Sequence, residues 1–165
     1  MTAQTIFYFC NEGKRVGSFG DGPGMYKQKL LKLNEVASYD AFDGAPFTED
    51  TTEGRCQFLD LSVPIYHLED KYDWIVSTEV AEHIPKKFEK FYLDNLTRYA
   101  KEGIIMSWAK LGQGGHSHVN NQDLSYVKAQ MEARGFRLDQ KQSDVIRNQS
   151  TFAWLKDNLN VYYRN

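Results

Sequence analysis

The sequence predicts an α/β protein built on a mainly parallel sheet with helices on both faces. Short apolar segments typical of strands alternate along the 165 residues with segments of helical periodicity, which is the pattern of a parallel sheet. A glycine-rich turn separates the first strand from the first helix, as at the nucleotide-binding corner of open sheets. With 41% hydrophobic and 25% charged residues, the chain is predicted to form a single domain over residues 1–165.

The first strand and the first helix are predicted to flank the glycine turn. The strand covers Val16–Phe19 and the helix covers Tyr26–Leu33. The apolar stripe that this helix would bury consists of Leu30, Leu31 and Leu33. Asn34 ends the helix, and the polar segment Ala45–Gly54 is predicted as a loop after the second strand.

The remaining elements continue the alternation. Further strands are predicted over Val36–Phe42, Arg55–Leu59, Asp73–Ser77, Gly103–Trp108, Phe136–Leu138 and Leu159–Tyr163. Helices are predicted over Lys86–Tyr99 and from a cap at Asn120 or Asn121 to about Arg134, with Val145–Trp154 mostly helical or irregular. Because little chain separates the last two strands, they are expected to pair as a hairpin-like edge without a crossover helix.

The glycine turn has the spacing G-x-G-x-G, at Gly20, Gly22 and Gly24. A dinucleotide fingerprint, G-x-G-x-x-G, would require glycine where the chain has Met25. Glycine lets a ligand lie against the backbone, and the following helix offers unpaired N–H groups. A glycine turn without any ligand is the alternative interpretation.

Acidic residues follow the second and third strands. An acid at the end of the second strand can accept both hydroxyls of a ribose, and Asp43, followed by Gly44, is the first candidate, with Asp40 in reserve. Asp43 is otherwise a solvated turn residue. Asp60 could accept from the exocyclic amine of adenine with Leu61 against the ring, or it could cap a short helix near Val63-Pro64.

Four segments in order resemble the motifs of class I S-adenosylmethionine-dependent methyltransferases. They are Gly20–Gly24, Asp43, Phe58–Leu61 and Asp73–Pro85, the last containing the pattern E-x-x-E-H-hydrophobic-P. The loop Ser107–Asn120 resembles uncharacterised methyltransferase-like proteins that share an S-W-A…G-Q-G-G…H-V-N segment. The resemblance implies a Rossmann-like, seven-stranded sheet with an antiparallel last strand, and S-adenosylmethionine as cofactor.

The resemblance also implies a set of cofactor-binding residues. They are Ser18, Phe19, Gly20, Gly22, Gly24, Asp43, Gly44, Asp60, Leu61 and Glu79. The chain departs from the family at Ser18, where an acid is usual two residues before the first glycine; Asp21 could supply the missing charge. A sulfonium favours aromatic faces, for which Phe19, Tyr26 and Trp108 are candidates.

Histidines supply candidate catalytic groups. His83 follows the fourth strand and could act as a general base, with Glu82 beside it and His118 on the glycine-rich loop after the fifth strand. The other interpretation is that His83 only shapes the cofactor pocket. His116 and His118, with Glu82 or His83, could form the metal site of a hydrolase. Because spacing fixes no third ligand, we expect no metal. We assign Gln113, His118 and Asn120 to substrate contact.

The sequence favours a small-molecule substrate over a macromolecular partner. The net charge of −2 gives no specific nucleic-acid signal. The aromatic run Ile6–Phe9 is too short for a membrane span or a secretory segment, so neither a membrane partner nor a leader is expected. Cys10 and Cys56 have no metal or redox spacing, which predicts a cytoplasmic protein. We expect an enzyme that methylates a small molecule; the alternative is a non-catalytic module that binds S-adenosylmethionine or S-adenosylhomocysteine.

Overall fold

A computed structural model describes residues 13–32, 36–69 and 71–165, whose strands form one seven-stranded sheet. The strands are β1 Arg15–Phe19, β2 Ser38–Asp43, β3 Cys56–Phe58, β4 Tyr72–Ser77, β5 Ala100–Ser107, β6 Phe136–Leu138 and β7 Leu159–Arg164. Their order is β3-β2-β1-β4-β5-β7-β6. Strands β1 to β5 pair in parallel, whereas β7 is antiparallel to both β5 and β6. The predicted fold class and the antiparallel last strand are therefore confirmed.

Helices cover both faces of this sheet. They are α1 Met25–Lys32, α2 Thr48–Thr51, α3 Glu89–Tyr99, α4 Leu124–Glu132, α5 Gln140–Gln149 and α6 Leu155–Asn158, with 3-10 turns at Ala81–His83 and Lys86–Phe88. The neighbouring residues Ile104 and Ile105 of β5 belong to different core clusters, because successive side chains of a strand point to opposite faces. One cluster contains residues of α3 and α4, and the other contains residues of α1, α5 and α6.

The predicted cap of the helix after β5 was wrong because the two asparagine side chains have other partners, and one short helical turn was missed. Helix α4 begins at Leu124 rather than at an asparagine cap. The Asn120 side chain instead donates to Glu89 Oε2 at 2.9 Å, and the Asn121 side chain donates to the carbonyl oxygens of Lys110 and Gln113. The segment predicted as a polar loop after β2 contains the single helical turn α2.

The last two strands do pair, but they do not form a hairpin. Helices α5 and α6 lie between them in the chain, and β7 inserts between β5 and β6. Helix α5 was difficult to recognise because its sequence is largely polar; Ser143 and Ile146 are its buried residues. Its start is capped by Asp139, whose carboxylate accepts from the Gln142 backbone N–H at 2.9 Å.

Some predictions fall outside the described residues. Leu33, Asn34 and the run Ile6–Phe9 are among them, whereas Leu30 of the predicted stripe is fully buried. None of the helices in the described ranges combines the length and the apolar character needed to cross a membrane.

Candidate functional site

A cleft of about 650 Å³ opens at the carboxyl ends of β1, β2 and β4. β1 lies between β2 and β4, so the cleft is at the point where the strand order reverses, which is where open α/β sheets bind ligands. Its lining consists of Ser18, Gly20, Asp21, Gly22, Tyr26, Asp43, Gly44, Leu59, Asp60, Leu61, Ser62, Val76, Thr78, Glu79, Val80, His83, Ile84 and Pro85.

The glycine loop is fixed to the end of β2 and open toward the cleft. The backbone N–H groups of Gly20 and Asp21 both donate to the Phe42 carbonyl oxygen, at 2.8 and 2.9 Å. Gly20 has φ +90°, and a Cβ there would lie 2.3 Å from Val80 Cγ2. Gly22 has φ +65°, and no atom of the described residues lies within 4 Å of the position that a Cβ would take. Gly20 is therefore required by packing, and Gly22 leaves backbone accessible to a ligand.

Asp43 connects the glycine loop to the turn that follows β2. One carboxylate oxygen accepts from the Gly22 N–H and the other from the Ala45 N–H, both at 2.8 Å. Each oxygen has a second lone pair that can accept a ligand hydroxyl. The reserve candidate Asp40 lies earlier in β2 and is absent from the cleft lining in the described part of the chain.

Asp21 places a carboxylate beside Ser18. It is 8% exposed, and its Oδ1 accepts from the Tyr39 hydroxyl at 2.6 Å, while its Oδ2 is buried without a hydrogen-bond partner in the described part of the chain. Burial raises the pKa of Asp21 above 3.8; the neighbouring Ser18 and Tyr39 side chains oppose this effect, and the charge of Asp43 adds to it. The buried carboxylate of Asp21 therefore lies near Ser18, which occupies the position where the resemblance predicts an acid.

Asp60 closes a turn rather than capping a helix. Its Oδ1 accepts from the Ser62 N–H at 2.8 Å and from the Ser62 hydroxyl at 2.6 Å. The described chain forms no helix near Val63-Pro64, so the capping alternative was wrong. Asp60 and Leu61 both line the cleft.

Glu79 lies directly after β4 in a strained backbone conformation. Its φ is +59°, which costs of order 1–3 kcal/mol for a residue other than glycine. The Ser107 hydroxyl compensates by accepting from the Glu79 N–H and donating to Glu79 Oε1, both at 2.7 Å. This arrangement points the carboxylate at the end of β4, where it lines the cleft.

Two of the predicted cofactor residues, Phe19 and Gly24, are not among the described residues that line the cleft. Phe19 is fully buried, and its ring packs edge-on against Phe42 at 5.6 Å between centroids, because it belongs to the core under the sheet. Gly24 packs against Arg55: a Cβ added to Gly24 would lie 2.9 Å from Arg55 Cβ. Of the three aromatic candidates for a sulfonium contact, Tyr26 alone lines the cleft.

The residues predicted as substrate contacts on the loop after β5 mostly hold that loop in place. Trp108 Nε1 donates to the Asn120 carbonyl oxygen at 2.6 Å, so this third aromatic candidate is also buried in structural contacts. Gln113 Oε1 accepts from the Lys110 N–H at 3.3 Å. Asn120 is buried against Glu89. Of the predicted loop contacts, His118 is left for another role.

The candidate catalytic groups are neighbours, and one of them reaches the cleft. His83 lines it, whereas Glu82 and His118 are not among the described residues of the lining. The His83 and His118 rings pack edge-on with 5.1 Å between their centroids. Burial raises the pKa of Glu82 to about 7; the charge of Glu79 adds to this effect, and the His118 ring opposes it.

The charge of the cleft is negative. Four carboxylates line it, at Asp21, Asp43, Asp60 and Glu79, and the described lining contains no lysine or arginine. Sequence reasoning missed the apolar lining from Val80, Ile84 and Pro85, although these residues belong to the strand-four segment that carried the resemblance. The cleft therefore suits a ligand with an apolar body and positive charge.

Comparisons with known proteins identify the fold. No protein-family model matches the sequence, and no curated protein matches it. Solved structures do match. Magnesium protoporphyrin IX methyltransferase from Synechocystis PCC 6803, with bound S-adenosylhomocysteine, has a TM-score of 0.71 at 14% identity, over 99% of this chain and 82% of that one.

Two further structures agree with the first. A TehB-like S-adenosylmethionine-dependent methyltransferase from Corynebacterium glutamicum has a TM-score of 0.68 at 17% identity, over 99% of this chain and 86% of that one. The YcgJ protein from Bacillus subtilis has a TM-score of 0.69 at 12% identity, over 99% and 97% of the two chains. The described chain therefore has the fold of class I S-adenosylmethionine-dependent methyltransferases.

Proposed function

We propose that this protein binds S-adenosylmethionine in the cleft and transfers its methyl group to an acceptor. The observation that carries the proposal is the combination of an open glycine loop with four carboxylates and no basic side chain in the described lining. S-adenosylmethionine has a sulfonium and an ammonium group, whereas a dinucleotide has an anionic pyrophosphate that these carboxylates would repel. Similar folds crystallised with S-adenosylmethionine or S-adenosylhomocysteine support the same ligand.

Each part of the cofactor has a matching group in the cleft. The backbone at Gly20–Gly22 and the carboxylate of Asp21 would hold the methionine half. Asp43 would accept from the ribose hydroxyls, with Gly44 beside it. Asp60 would accept from the adenine amine while Leu61 packs against the ring.

Methyl transfer needs alignment more than covalent help from the protein. The lone pair of the acceptor attacks the methyl carbon, the carbon–sulfur bond breaks, and its electron pair stays on sulfur as the neutral thioether of S-adenosylhomocysteine. Holding the three atoms in line in a water-poor cleft supplies much of the rate. His83 is exposed at the rim and can take the proton that an acceptor hydroxyl or amine releases. We propose a small molecule as the acceptor.

Calorimetric titration with S-adenosylhomocysteine tests the cofactor assignment. We expect one site per chain in the wild type and loss of measurable binding in Asp43→Ala, because this change removes the ribose acceptor and the anchor of Gly22. Asp40→Ala is the matched control on the same strand and should bind as the wild type does. Circular dichroism verifies the fold of each variant. A folded wild type that does not bind would refute the proposal.

Ser18 favours a second candidate, a module that holds the cofactor without using it. The family position for an acid has only a hydroxyl here, which orients an ammonium group without charge. The two candidates differ in turnover: a methyltransferase converts S-adenosylmethionine to S-adenosylhomocysteine when an acceptor is also supplied, and transfer to any acceptor excludes the binding module.

A further inference from the structure

Glu82, His83 and His118 form a cluster that the methyl-transfer proposal does not use as a unit. Their candidate ligand atoms all lie within 4.8 Å of one another, and His118 Nε2 is 4.0 Å from Glu82 Oε1. Glu82 and His83 belong to the 3-10 turn after β4, and His118 belongs to the loop after β5. The backbone N–H groups of Val119 and Asn120 donate to the Glu82 carbonyl oxygen at 2.9 and 3.0 Å, which clamps the loop onto the turn.

Several polar atoms of this cluster lack the partners that burial demands. Glu82 is 0% exposed, yet neither of its carboxylate oxygens has a hydrogen-bond partner among the residues that the structure describes. Within the same ranges, His118 Nδ1 is also buried without a partner. An isolated buried carboxylate is costly, and buried charges in proteins are normally paired or bound to metal ions. The nearby charge of Glu79 makes the same position still more favourable to a cation.

The local backbone orients the His83 ring and leaves room for the His118 ring. The Ser117 carbonyl oxygen lies 3.2 Å from His83 Nδ1, so that a proton on Nδ1 donates to it and Nε2 is left as the free ligand atom. Ser117 adopts a positive φ of 58° to present this carbonyl. At Gly115, a Cβ would lie 2.1 Å from His118 Nε2. The ring of His118 therefore occupies space that only a glycine at position 115 leaves open.

We propose that Glu82, His83 and His118 form a binding site for one divalent transition-metal ion. Two imidazoles and one carboxylate favour ions such as Zn²⁺, Mn²⁺ or Fe²⁺ over Ca²⁺, which prefers oxygen ligands alone. Three protein ligands leave coordination positions for water or a substrate oxygen. Because His83 also lines the cleft, the ion would lie at its rim. Sequence spacing left the third ligand undetermined, and the fold supplies it.

Metal titration of protein without an affinity tag tests the site directly. Equilibrium dialysis against Zn²⁺ and against Mn²⁺, followed by elemental analysis, should give one bound ion per wild-type chain for at least one of the two. His83→Ala and His118→Ala should each bind at least about 10-fold more weakly. His116→Ala is the matched control, because His116 is exposed on the same loop and outside the cluster.

A pair of glycine variants tests the geometry without removing a ligand. Gly115→Ala should weaken ion binding by displacing the His118 ring, whereas Gly114→Ala should not, because no atom lies within 4 Å of a Cβ at that position. A wild type that binds neither ion, or ligand variants that bind like the wild type, would overturn the inference.

The inference can fail independently of the proposed function. S-adenosylhomocysteine titrations on the same samples, with and without ion, separate the two. Binding of S-adenosylhomocysteine without ion binding contradicts the metal site alone. Ion binding without S-adenosylhomocysteine binding supports the metal site and contradicts the cofactor assignment.

Discussion

Replacing Asp21 by asparagine should change stability and cofactor affinity in opposite directions. Asparagine keeps an oxygen that can accept from the Tyr39 hydroxyl, which donates to Asp21 at 2.6 Å, so the local structure should survive. The substitution removes a carboxylate that is 8% exposed and whose Oδ2 has no hydrogen-bond partner among the described residues. We therefore expect the variant to melt at a higher temperature than the wild type at pH 7.

The stability difference should depend on pH with a defined sign. Burial raises the pKa of folded Asp21 above 3.8, so the folded state favours the protonated carboxyl. The protonated carboxyl therefore contributes stability to the folded wild type at low pH. The wild type loses this contribution as pH rises from about 3.8, the ordinary pKa of an aspartate, through the raised pKa of Asp21. The variant has no such loss, so its advantage in melting temperature should grow across that window and stay constant at higher pH.

Affinity should fall because the cofactor ammonium loses its charged acceptor. Hydrogen bonds to charged groups contribute about 1.5–3 kcal/mol, which corresponds to roughly 10- to 150-fold weaker binding. Calorimetry with S-adenosylmethionine and S-adenosylhomocysteine should show similar losses, since both contain the ammonium group. Asp50→Asn, exposed on α2, is the control. An Asp21→Asn variant with wild-type affinity and an unchanged melting temperature at pH 7 would refute the reasoning.

Three further predictions concern neighbouring parts of the site. Gly20→Ala should lower the melting temperature more than Gly22→Ala, since only the former meets Val80, whereas both should weaken S-adenosylhomocysteine binding; equal melting would contradict this. Ser107→Ala should cost about 1–3 kcal/mol in chemical unfolding, because Glu79 loses a donor and an acceptor; Ser62→Ala, at a half-exposed turn, should cost less. Burial raises the pKa of the Cys56 thiol to about 11. Iodoacetamide at pH 8 should therefore leave Cys56 unmodified in the native protein and alkylate it in urea, as measured by peptide mass. Rapid alkylation of the native protein would contradict the burial of Cys56.

The sheet and the acidic ends of its strands were predictable because their signals are local. A glycine turn before a helix and an acid after a strand identify Gly20 and Asp43 without any knowledge of distant contacts. The sequence suggested that Asp21 could supply the charge missing at Ser18, but its burial was harder to foresee. Its burial depends on Tyr39, which reaches it from the neighbouring strand, and no spacing rule connects the two residues.

What the sequence did not predict depends on which face of an element is buried and on backbone contacts between distant segments. Phe19 has an aromatic ring that could contact a sulfonium, but the alternation of side chains along β1 places this ring in the core, where it packs against Phe42. Helix α5 contains too few apolar residues to show its period. The cluster of His83 and His118 is held by backbone hydrogen bonds of Val119 and Asn120, and backbone bonds leave no trace in residue type.

Strand β7 lies between β5 and β6 although it follows both in the chain. During synthesis, β5 and β6 therefore emerge from the ribosome before the segment that joins them. Among the described strands, β6 pairs with β7 alone, so β6 and the free edge of β5 both wait for the six residues Leu159–Arg164. The order of translation thus makes insertion of β7 a late, long-range step in folding. A nascent chain halted before Leu159 should accordingly remain sensitive to protease over β6.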